Sequence, residues 1–348
     1  MIAIQNLKSR LFAVLLISLP LMTTLTANAQ KISSADKKEL RKKEDTLSAY
    51  SRDMVFSPDA AVRFRADSNF IRGFVRALKI KNSFVYSFDS LNISRLYAPD
   101  SSFRIFTWQM KKDEYIYMQK GAIQMNTPDG SLKLFPLFDN SMFSSNPTDS
   151  VRNRNTWIGA IYYKIILKEF NGRKFYTMLG FDDFAISSNK KWLEVLTFNN
   201  SGEPVFGGRF ISFKEDSVVK PVQHRFYIEY KKEAKTVFNY DPSLDMIVFD
   251  HLISETDEPD KPDTFIPDGD TEGFKWKDGQ WVHVDKVFDF KLEDGQSPLD
   301  ATIRDAQGNI DEKKLEEASQ RNIERADKDK KPPVKKDDPK TPVKKKNN

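Results

Sequence analysis

The spacing of apolar residues changes along the chain, and its first part predicts helices. A thin apolar stripe in the charged stretch of residues 31 to 53 recurs at helical spacing and indicates a weakly held helix: Leu40, Leu47, Tyr50 and Met54. A second helix is predicted from Ser57-Pro58, because serine is a typical N-cap and proline suits the first helical position. Its stripe is expected to dock on the main domain: Phe70, Ile71, Phe74, Val75 and Leu78.

From about residue 84 to about residue 290 the apolar period falls to two, which is typical of strands. The first predicted strand covers residues 84 to 88 and the last covers 280 to 284. Turn dipeptides separate several aromatic and β-branched runs: Asp129-Gly130, Asn171-Gly172, Ser201-Gly202 and Asp278-Gly279. We therefore predict a mostly β fold, an antiparallel meander that is sandwich-like or barrel-like, with N-terminal helices.

The Asn171-Gly172 dipeptide predicts a hairpin of defined register. If it forms a two-residue loop, Glu169 faces Lys174 and Leu167 faces Tyr176. The apolar pair then lies on a buried face and the charged pair lies at its rim.

The same reasoning at Asp129-Gly130 places Met125 opposite Leu134 and Ile123 opposite Pro136. Proline cannot donate to a central ladder. This segment is therefore expected to be an edge strand or a strand end.

Composition divides the chain into five regions. They are a signal peptide (1 to 29), a helical segment (30 to 83), the antiparallel β domain (84 to 292), a linker with a charged helix (293 to 327) and a disordered lysine and proline tail (328 to 348). The charged helix is indicated by a capping-box pattern of Asn309 and Glu312.

The signal peptide is indicated by Lys8 and Arg10 before a short apolar run, which ends near the small residues Ala27 and Ala29. Cleavage after Ala29 predicts a periplasmic or secreted protein with no membrane span in its mature chain. The chain contains no cysteine, which excludes a disulfide scaffold and a lipid-modified cysteine after the cleavage site.

The net charge of +5 hides two opposite segments. Residues 328 to 348 carry nine lysines and three aspartates, whereas residues 250 to 272 carry nine carboxylates and one lysine. The tail is interpreted as a solubilising or tethering extension, with binding of anionic envelope polymers as the alternative. No nucleic-acid partner is expected, because the tail lacks arginines and interleaved aromatic residues.

The acidic segment contains the first half of a calcium-loop pattern. Asp268, Asp270 and Glu272 occupy the first, third and fifth positions, and Gly273 follows at the sixth. Gly279 stands where the twelfth-position carboxylate belongs, so the pattern does not complete an EF-hand. Calcium is therefore the one cofactor considered for these three residues, and a solvated acidic loop before a hairpin is the alternative.

Other chemical motifs are missing. The sequence has no G-x-S-x-G, H-E-x-x-H, Walker or G-x-G-x-x-G pattern, which weighs against common hydrolase and nucleotide-binding classes. A zinc site made by His224, His251 and His283 stays open, although isolated histidines at strand ends are more often structural.

The Asp278-Gly279 hairpin supplies a candidate ligand-binding row. A two-residue loop pairs Trp276 with Trp281 and Phe274 with His283, so that all four share one face. Such a row is ordinarily core, but a solvent-facing row would suit a sugar, a peptide or a protein partner. Nearby carboxylates also leave a glycosidase pair open.

Several segments resemble those of uncharacterised exported proteins of Gram-negative bacteria. They are residues 97 to 108, 121 to 124, 157 to 163, 245 to 252 and 267 to 276. The resemblance implies export and a shared β domain, and it brings no catalytic or binding residues. We expect a non-catalytic binding or structural module whose partner is an unknown envelope protein or glycan; the alternative is a hydrolase acting on envelope glycans or peptides.

Export should remove residues 1 to 29, because the charged start, the apolar run and the small residues occur together. The intact mass of protein recovered from the producing cell should correspond to a chain that begins at Gln30. Recovery of Met1 or of residues from the apolar run in the mature protein would contradict the prediction.

Overall fold

The computed structural model describes residues 31 to 288 together with Lys313. The described residues 31 to 288 belong to one compact unit. The predicted signal peptide, the C-terminal charged helix and the lysine and proline tail lie outside the described residues.

Two helices open the described chain. Helix α1 spans Ser34–Phe56 and begins at the N-cap Ser33, whose hydroxyl accepts a hydrogen bond from the Asp36 amide. Helix α2 spans Ala60–Leu78. The prediction that α2 starts at Ser57-Pro58 was wrong: Asp59 is its N-cap, because this carboxylate accepts hydrogen bonds from two amides of the first turn.

The apolar stripe of α2 docks on a sheet, as predicted. Phe74 contacts Phe106 edge-to-face at 4.8 Å, and Phe70 contacts Trp108 at 5.4 Å. Leu47 of α1 belongs to the same buried cluster. The two helices therefore form an outer layer.

The strands form three open sheets. The first sheet has the order β1 (Ser94–Tyr97), β2 (Phe103–Lys111), β3 (Tyr117–Met125) and β4 (Lys133–Phe138). The second has the order β5 (Arg152–Asn153), β9 (Pro204–Phe206), β8 (Ser188–Phe198), β7 (Arg173–Asp182) and β6 (Ile161–Phe170), and β11 (Arg225–Lys231) also pairs with β8. The third has the order β10 (Ile211–Ser212), β15 (Gln280–Val284), β14 (Phe265–Lys277), β13 (Met246–Ser254) and β12 (Phe238–Asp241).

Pairing among the described strands is antiparallel except between β10 and β15, which run parallel. Short 3-10 helices span Ser83–Val85, Ser141–Phe143 and Pro262–Thr264. Among the described residues, no helix is long and apolar enough to cross a membrane. The mostly β, antiparallel class with N-terminal helices is therefore confirmed.

The buried clusters show how the layers stack. One cluster joins the helices to the first sheet, a second joins the first sheet to the second, and a third joins the second sheet to the third. Successive residues of β8 alternate between two of these clusters: Trp192 faces the first sheet, and Leu193 faces the third. The second sheet is thus buried on both faces.

The hairpin register at Asn171-Gly172 is confirmed. Glu169 pairs with Lys174 and Leu167 with Tyr176. Asn171 and Gly172 both have positive φ, as a two-residue hairpin turn requires.

The register predicted at Asp129-Gly130 was wrong by one residue. Leu134 pairs with Gln124, and Pro136 pairs with Ala122. The loop is longer than two residues because the Thr127 hydroxyl donates a hydrogen bond to the Ser131 carbonyl at 2.6 Å. The expectation of an edge strand holds, since β4 ends the first sheet.

The strand predicted over residues 84 to 88 does not form. A 3-10 helix spans Ser83–Val85, and Phe88 has a positive φ of 55°. Phe84 and Phe88 are both buried, and their rings lie within 5.5 Å of the Arg104 guanidinium. Packing around this buried cation therefore determines the local conformation.

A buried ion pair lies in the second sheet. Arg225 of β11 is fully buried and donates through Nε to Glu194 Oε1 of β8 at 2.7 Å. The Tyr162 hydroxyl donates to the other Glu194 oxygen at 2.7 Å, and Trp157 Nε1 donates to that hydroxyl at 2.8 Å. This chain of contacts links three segments that are distant in sequence.

A second buried acid lies at the end of β7. Asp182 accepts a hydrogen bond from Gln119 Nε2 at 2.7 Å. Burial raises the pKa of its carboxyl, and the charge of Asp139 adds to this effect. The Gln119 hydrogen bond and the charges of Lys190 and Lys232 lower the pKa, and the net value is about 7.

The aromatic row of the Asp278-Gly279 hairpin has the predicted register. Trp276 pairs with Trp281 and Phe274 pairs with His283. Phe274, Trp281 and His283 are buried, whereas Trp276 is half-buried. Trp281 also donates from Nε1 to the Thr177 hydroxyl of the second sheet at 2.8 Å. The row is therefore packed between the second and third sheets.

Replacing Trp281 by alanine should lower the free energy of unfolding by about 3 to 5 kcal/mol, because a fully buried ring is lost and a cavity remains. Trp276→Ala is the matched control and should cost less, since its ring is only half-buried. Urea unfolding of both variants measures the difference. A loss below about 1 kcal/mol for Trp281→Ala would exclude the core role.

The raised pKa of Asp182 predicts a stability difference that depends on pH. Between pH 4 and 7 the folded carboxyl retains a proton that the unfolded chain has released, so this group makes stability fall as pH rises through that window. Asp182→Asn should remove the slope of about 1.4 kcal/mol per pH unit.

Urea unfolding of wild type and Asp182→Asn at several pH values tests this expectation. The variant should gain stability relative to wild type from pH 4 to pH 7 and show no further gain above it. A stability difference that stays constant across the window would contradict it.

Candidate functional site

A cavity of about 470 Å³ opens between the second and third sheets. We call it the acidic pocket. Its lining residues come from β11, β13, β14 and three neighbouring segments: Thr148, Gln223, Phe226, Tyr227, Ile228, Glu229, Phe249, Asp250, His251, Leu252, Pro262, Phe265 and Glu272.

The pocket forms where the edge strand β11 approaches the third sheet. Phe226 packs against Phe249 at 5.2 Å and gives this junction an apolar wall. The next residue, Tyr227, contacts the other face and stacks near Trp192 at 4.7 Å. Polar groups of β13 and β14 complete the lining.

His251 lies at an irregularity of the third sheet. The register of β13 against β14 shifts between Asp250 and Leu252, and such a bulge redirects the side chain within it. Nδ1 of His251 lies 2.8 Å from Asp268 Oδ2, and its Nε2 lies 3.6 Å from Glu272 Oε1. An imidazole is thereby placed between two carboxylates at the pocket rim.

Glu272 connects the pocket to a buried histidine behind it. Its Oε2 lies 2.8 Å from His283 Nε2, and Nδ1 of His283 lies 3.0 Å from Asp216 Oδ1. Burial lowers the pKa of His283, but hydrogen bonds and charges from Glu272 and Asp216 raise it by more, so the net shift is upward. Asp216 also attaches its loop to the third sheet.

The acidic segment is largely strand rather than the expected loop. Residues Asp268, Asp270 and Glu272 all lie in β14, where their carboxylates contact side chains of neighbouring segments: His251, Lys286 and His283. Asp270 lies 3.3 Å from Lys286 Nζ. Burial raises the pKa of Asp268, whereas hydrogen bonds from the Asp270 amide and His251 lower it by more.

The residues considered for calcium are therefore placed along a strand and have different partners. Within the described chain, the group of histidine and acidic side chains whose ligand atoms converge within 4.8 Å is Asp216, His283 and Asp285. The calcium set is not part of this group. The assignment of calcium to Asp268, Asp270 and Glu272 stays a prediction.

The aromatic row and the pocket are neighbours with different roles in the fold. None of Phe274, Trp276, Trp281 and His283 lines the acidic pocket. His283 reaches the pocket through Glu272. Burial of the row favours its interpretation as core, and a ligand-binding role for it stays a prediction.

Sequence reasoning missed Asp216, His251 and Asp285 as members of one cluster. The sequence analysis considers His251 only together with His224 and His283, and no local pattern marks its bulge. Asp216 is far from the hairpin in sequence and meets it through tertiary packing. These residues could have been found only from knowledge that the Asp216 loop packs against the hairpin of His283. A single sequence does not reveal that packing.

Comparison with known proteins gives no relative to this chain. No family model matches it, and neither a curated protein nor a solved structure is significantly similar.

Proposed function

We propose that the protein is an exported, non-catalytic binding module of the cell envelope or the secreted fraction, and that it binds its partner in the acidic pocket. The observation that carries the proposal is the combination of aromatic walls with carboxylates in one concave site. Pockets that bind ligands typically join apolar walls to a few polar groups that fix orientation.

The partner is proposed to be a protein segment that presents a lysine or arginine side chain. Residues 250 to 272 carry nine carboxylates against Lys261, so the field around the pocket attracts cations. The Phe226 ring in the pocket wall also attracts cations over its face. A neutral glycan would gain little from this field.

Contacts of the lining carboxylates favour binding over catalysis. Glu229 lies 3.2 Å from Lys190 and accepts from the Ser188 hydroxyl at 2.6 Å. Glu272 is held by His283. Carboxylates fixed in this way provide a preorganised acceptor surface, which suits a ligand rich in hydrogen-bond donors.

Export is part of the proposal. It is supported by the charged and apolar pattern of residues 1 to 29 and by the resemblance to exported Gram-negative proteins. A periplasmic or secreted location would give the pocket access to envelope proteins.

A hydrolase acting on envelope glycans or peptides is the second candidate. The observation that favours it is the His251 and Asp268 pair, because a carboxylate at Nδ1 orients an imidazole for proton transfer. Turnover of an envelope glycan or peptide that disappears in His251→Gln would establish this alternative.

The binding proposal is tested with the purified mature protein and a fluorescent lysine-rich peptide. Asp250→Asn and Glu229→Gln should each weaken binding about tenfold, because each removes a negative charge from the pocket. Binding should also weaken as salt is raised. Fluorescence anisotropy gives the dissociation constants.

Asp260→Asn is the matched control, since this carboxylate is exposed on the same acidic segment and does not line the pocket. It should leave affinity within about twofold. If the control and the pocket variants lose the same affinity for the peptide, the peptide is attracted only by the overall negative charge and not by the pocket. Binding of a neutral oligosaccharide without binding of the peptide would also overturn the proposed partner.

A further inference from the structure

The buried imidazole of His283 is surrounded by oxygen atoms on both ring nitrogens. Nδ1 lies 3.0 Å from Asp216 Oδ1 and 3.3 Å from Asp285 Oδ1. Nε2 lies 2.8 Å from Glu272 Oε2. A neutral imidazole has one N–H and one lone pair, so it can donate to a carboxylate on one side only; on the other side either a second proton or a metal ion can stand between nitrogen and oxygen.

The separations on the Nδ1 side match those of ligands around one metal ion. Two ligands of a tetrahedral zinc ion, each about 2.0 to 2.2 Å from the metal, lie about 3.3 Å apart. The atoms offered by Asp216, His283 and Asp285 all lie within 4.8 Å of one another. The two contacts to Nδ1 of His283, at 3.0 and 3.3 Å, are close to this separation, so the three donors are near enough to share one ion.

Charge gives an independent reason for a cation at this place. Three carboxylates meet around one imidazole, and among the described residues Asp216 and Asp285 form ion pairs with His283 alone. The side chains of Asp216 and His283 are 6% and 4% exposed. Burying the Asp216 carboxylate without sufficient positive charge is costly, and a divalent ion would place positive charge beside it.

The other ring nitrogen has the partner that metal-bound histidines usually have. A histidine ligand commonly donates its second N–H to a carboxylate, which fixes the tautomer and the ring orientation. Glu272 occupies this position at 2.8 Å, and its second oxygen faces His251. Glu272 would therefore act as a positioning residue.

We propose that Asp216, Nδ1 of His283 and Asp285 bind a divalent transition metal ion of the zinc class. The imidazole donor favours zinc over calcium or magnesium, which prefer all-oxygen sites. The Asp285 side chain is 60% exposed, so the site has an entry path and room for a water ligand. The proposal does not rest on ligand binding in the acidic pocket.

Such an ion would fasten two parts of the chain. Asp216 belongs to the segment that follows β10, whereas His283 and Asp285 belong to β15 and the residue after its end. Binding to the folded state alone would stabilise the protein by mass action. Zinc should therefore raise the melting temperature as well as bind.

The test is titration of chelator-treated mature protein with zinc, followed by calorimetry and by thermal unfolding. Cobalt(II) serves as a second probe, because its visible absorption reports coordination by nitrogen and oxygen. We expect one equivalent of metal per chain, a higher melting temperature with zinc, and loss of both effects in Asp216→Asn and His283→Gln.

The variants of the buried residues Asp216 and His283 could fail to fold. Asp285→Asn tests the site without this risk, because the Asp285 side chain is exposed. It should weaken zinc binding at least about tenfold. Glu272→Gln should weaken binding about 10-fold to 100-fold while leaving the three ligands in place. Asp270→Asn is the matched control and should remain within about twofold of wild type.

Two results would overturn the site. The first is the absence of a stoichiometric equivalent of zinc or cobalt bound to wild type. The second is equal loss of binding in His251→Gln and Asp285→Asn, which would move the ion to the acidic pocket. Peptide binding is measured separately, so failure of either proposal is distinguishable from failure of the other.

Discussion

The ion pair between Arg225 and Glu194 determines how the middle of this protein is built. Both groups are almost completely buried, and each has additional hydrogen-bond partners. Leaving a buried charge without its partner typically lowers stability by about 3 to 5 kcal/mol, so separation of the strands that carry the pair is strongly unfavourable. Register follows from this constraint, because Arg225 lies directly opposite Glu194. Tyr162 and Trp157 extend the same constraint to the strand on the far side of β7 and the segment before it.

The sheet fixed by this pair supplies two apolar faces. Leu179 and Leu193 face the third sheet, whereas Met178 and Leu196 face the first. The first sheet packs on one of these faces and is covered by the helices on its other side, whereas the third sheet packs on the opposite face. The third sheet uses this freedom: its buried aromatic row ends in His283 and Glu272, where apolar packing gives way to charged groups. The acidic pocket and the proposed metal site lie at this transition.

Local chemistry explains why some of the fold could be predicted from sequence. The hairpins at Asn171-Gly172 and Asp278-Gly279 have positive φ at both turn residues, and two-residue turns fix the register of their strands. The Asp129-Gly130 loop breaks the rule because Thr127 and Ser131 form a wider loop. Residues 84 to 88 fail for another reason: they pack around the Arg104 guanidinium, whose position depends on tertiary structure.

The candidate site was predictable only in part, and the reason is distance along the chain. Glu272 and His283 belong to one hairpin, whose register the sequence indicates, so their proximity follows from local rules. Asp216 belongs to the segment after β10, which is distant in sequence, and a bulge in β13 orients His251 toward the site. Strongly acidic composition suggested a loop over residues 250 to 272, but composition does not reveal that His251, His283 and Lys286 face these carboxylates.

The parallel pairing of β10 with β15 has a consequence for the order in which the chain acquires its structure. Strands of the first sheet follow one another directly, so this sheet can assemble as soon as its residues are available. Ile211 bridges to Gln223 nearby, but its pairing with Trp281 must await the synthesis of β15. Contacts of such long sequence separation form slowly, and an unpaired edge invites intermolecular association meanwhile. A chain that emerges N-terminus first would thus be most vulnerable to aggregation after β10 appears and before β15 does, and a chaperone that shields this edge would be most useful in that interval.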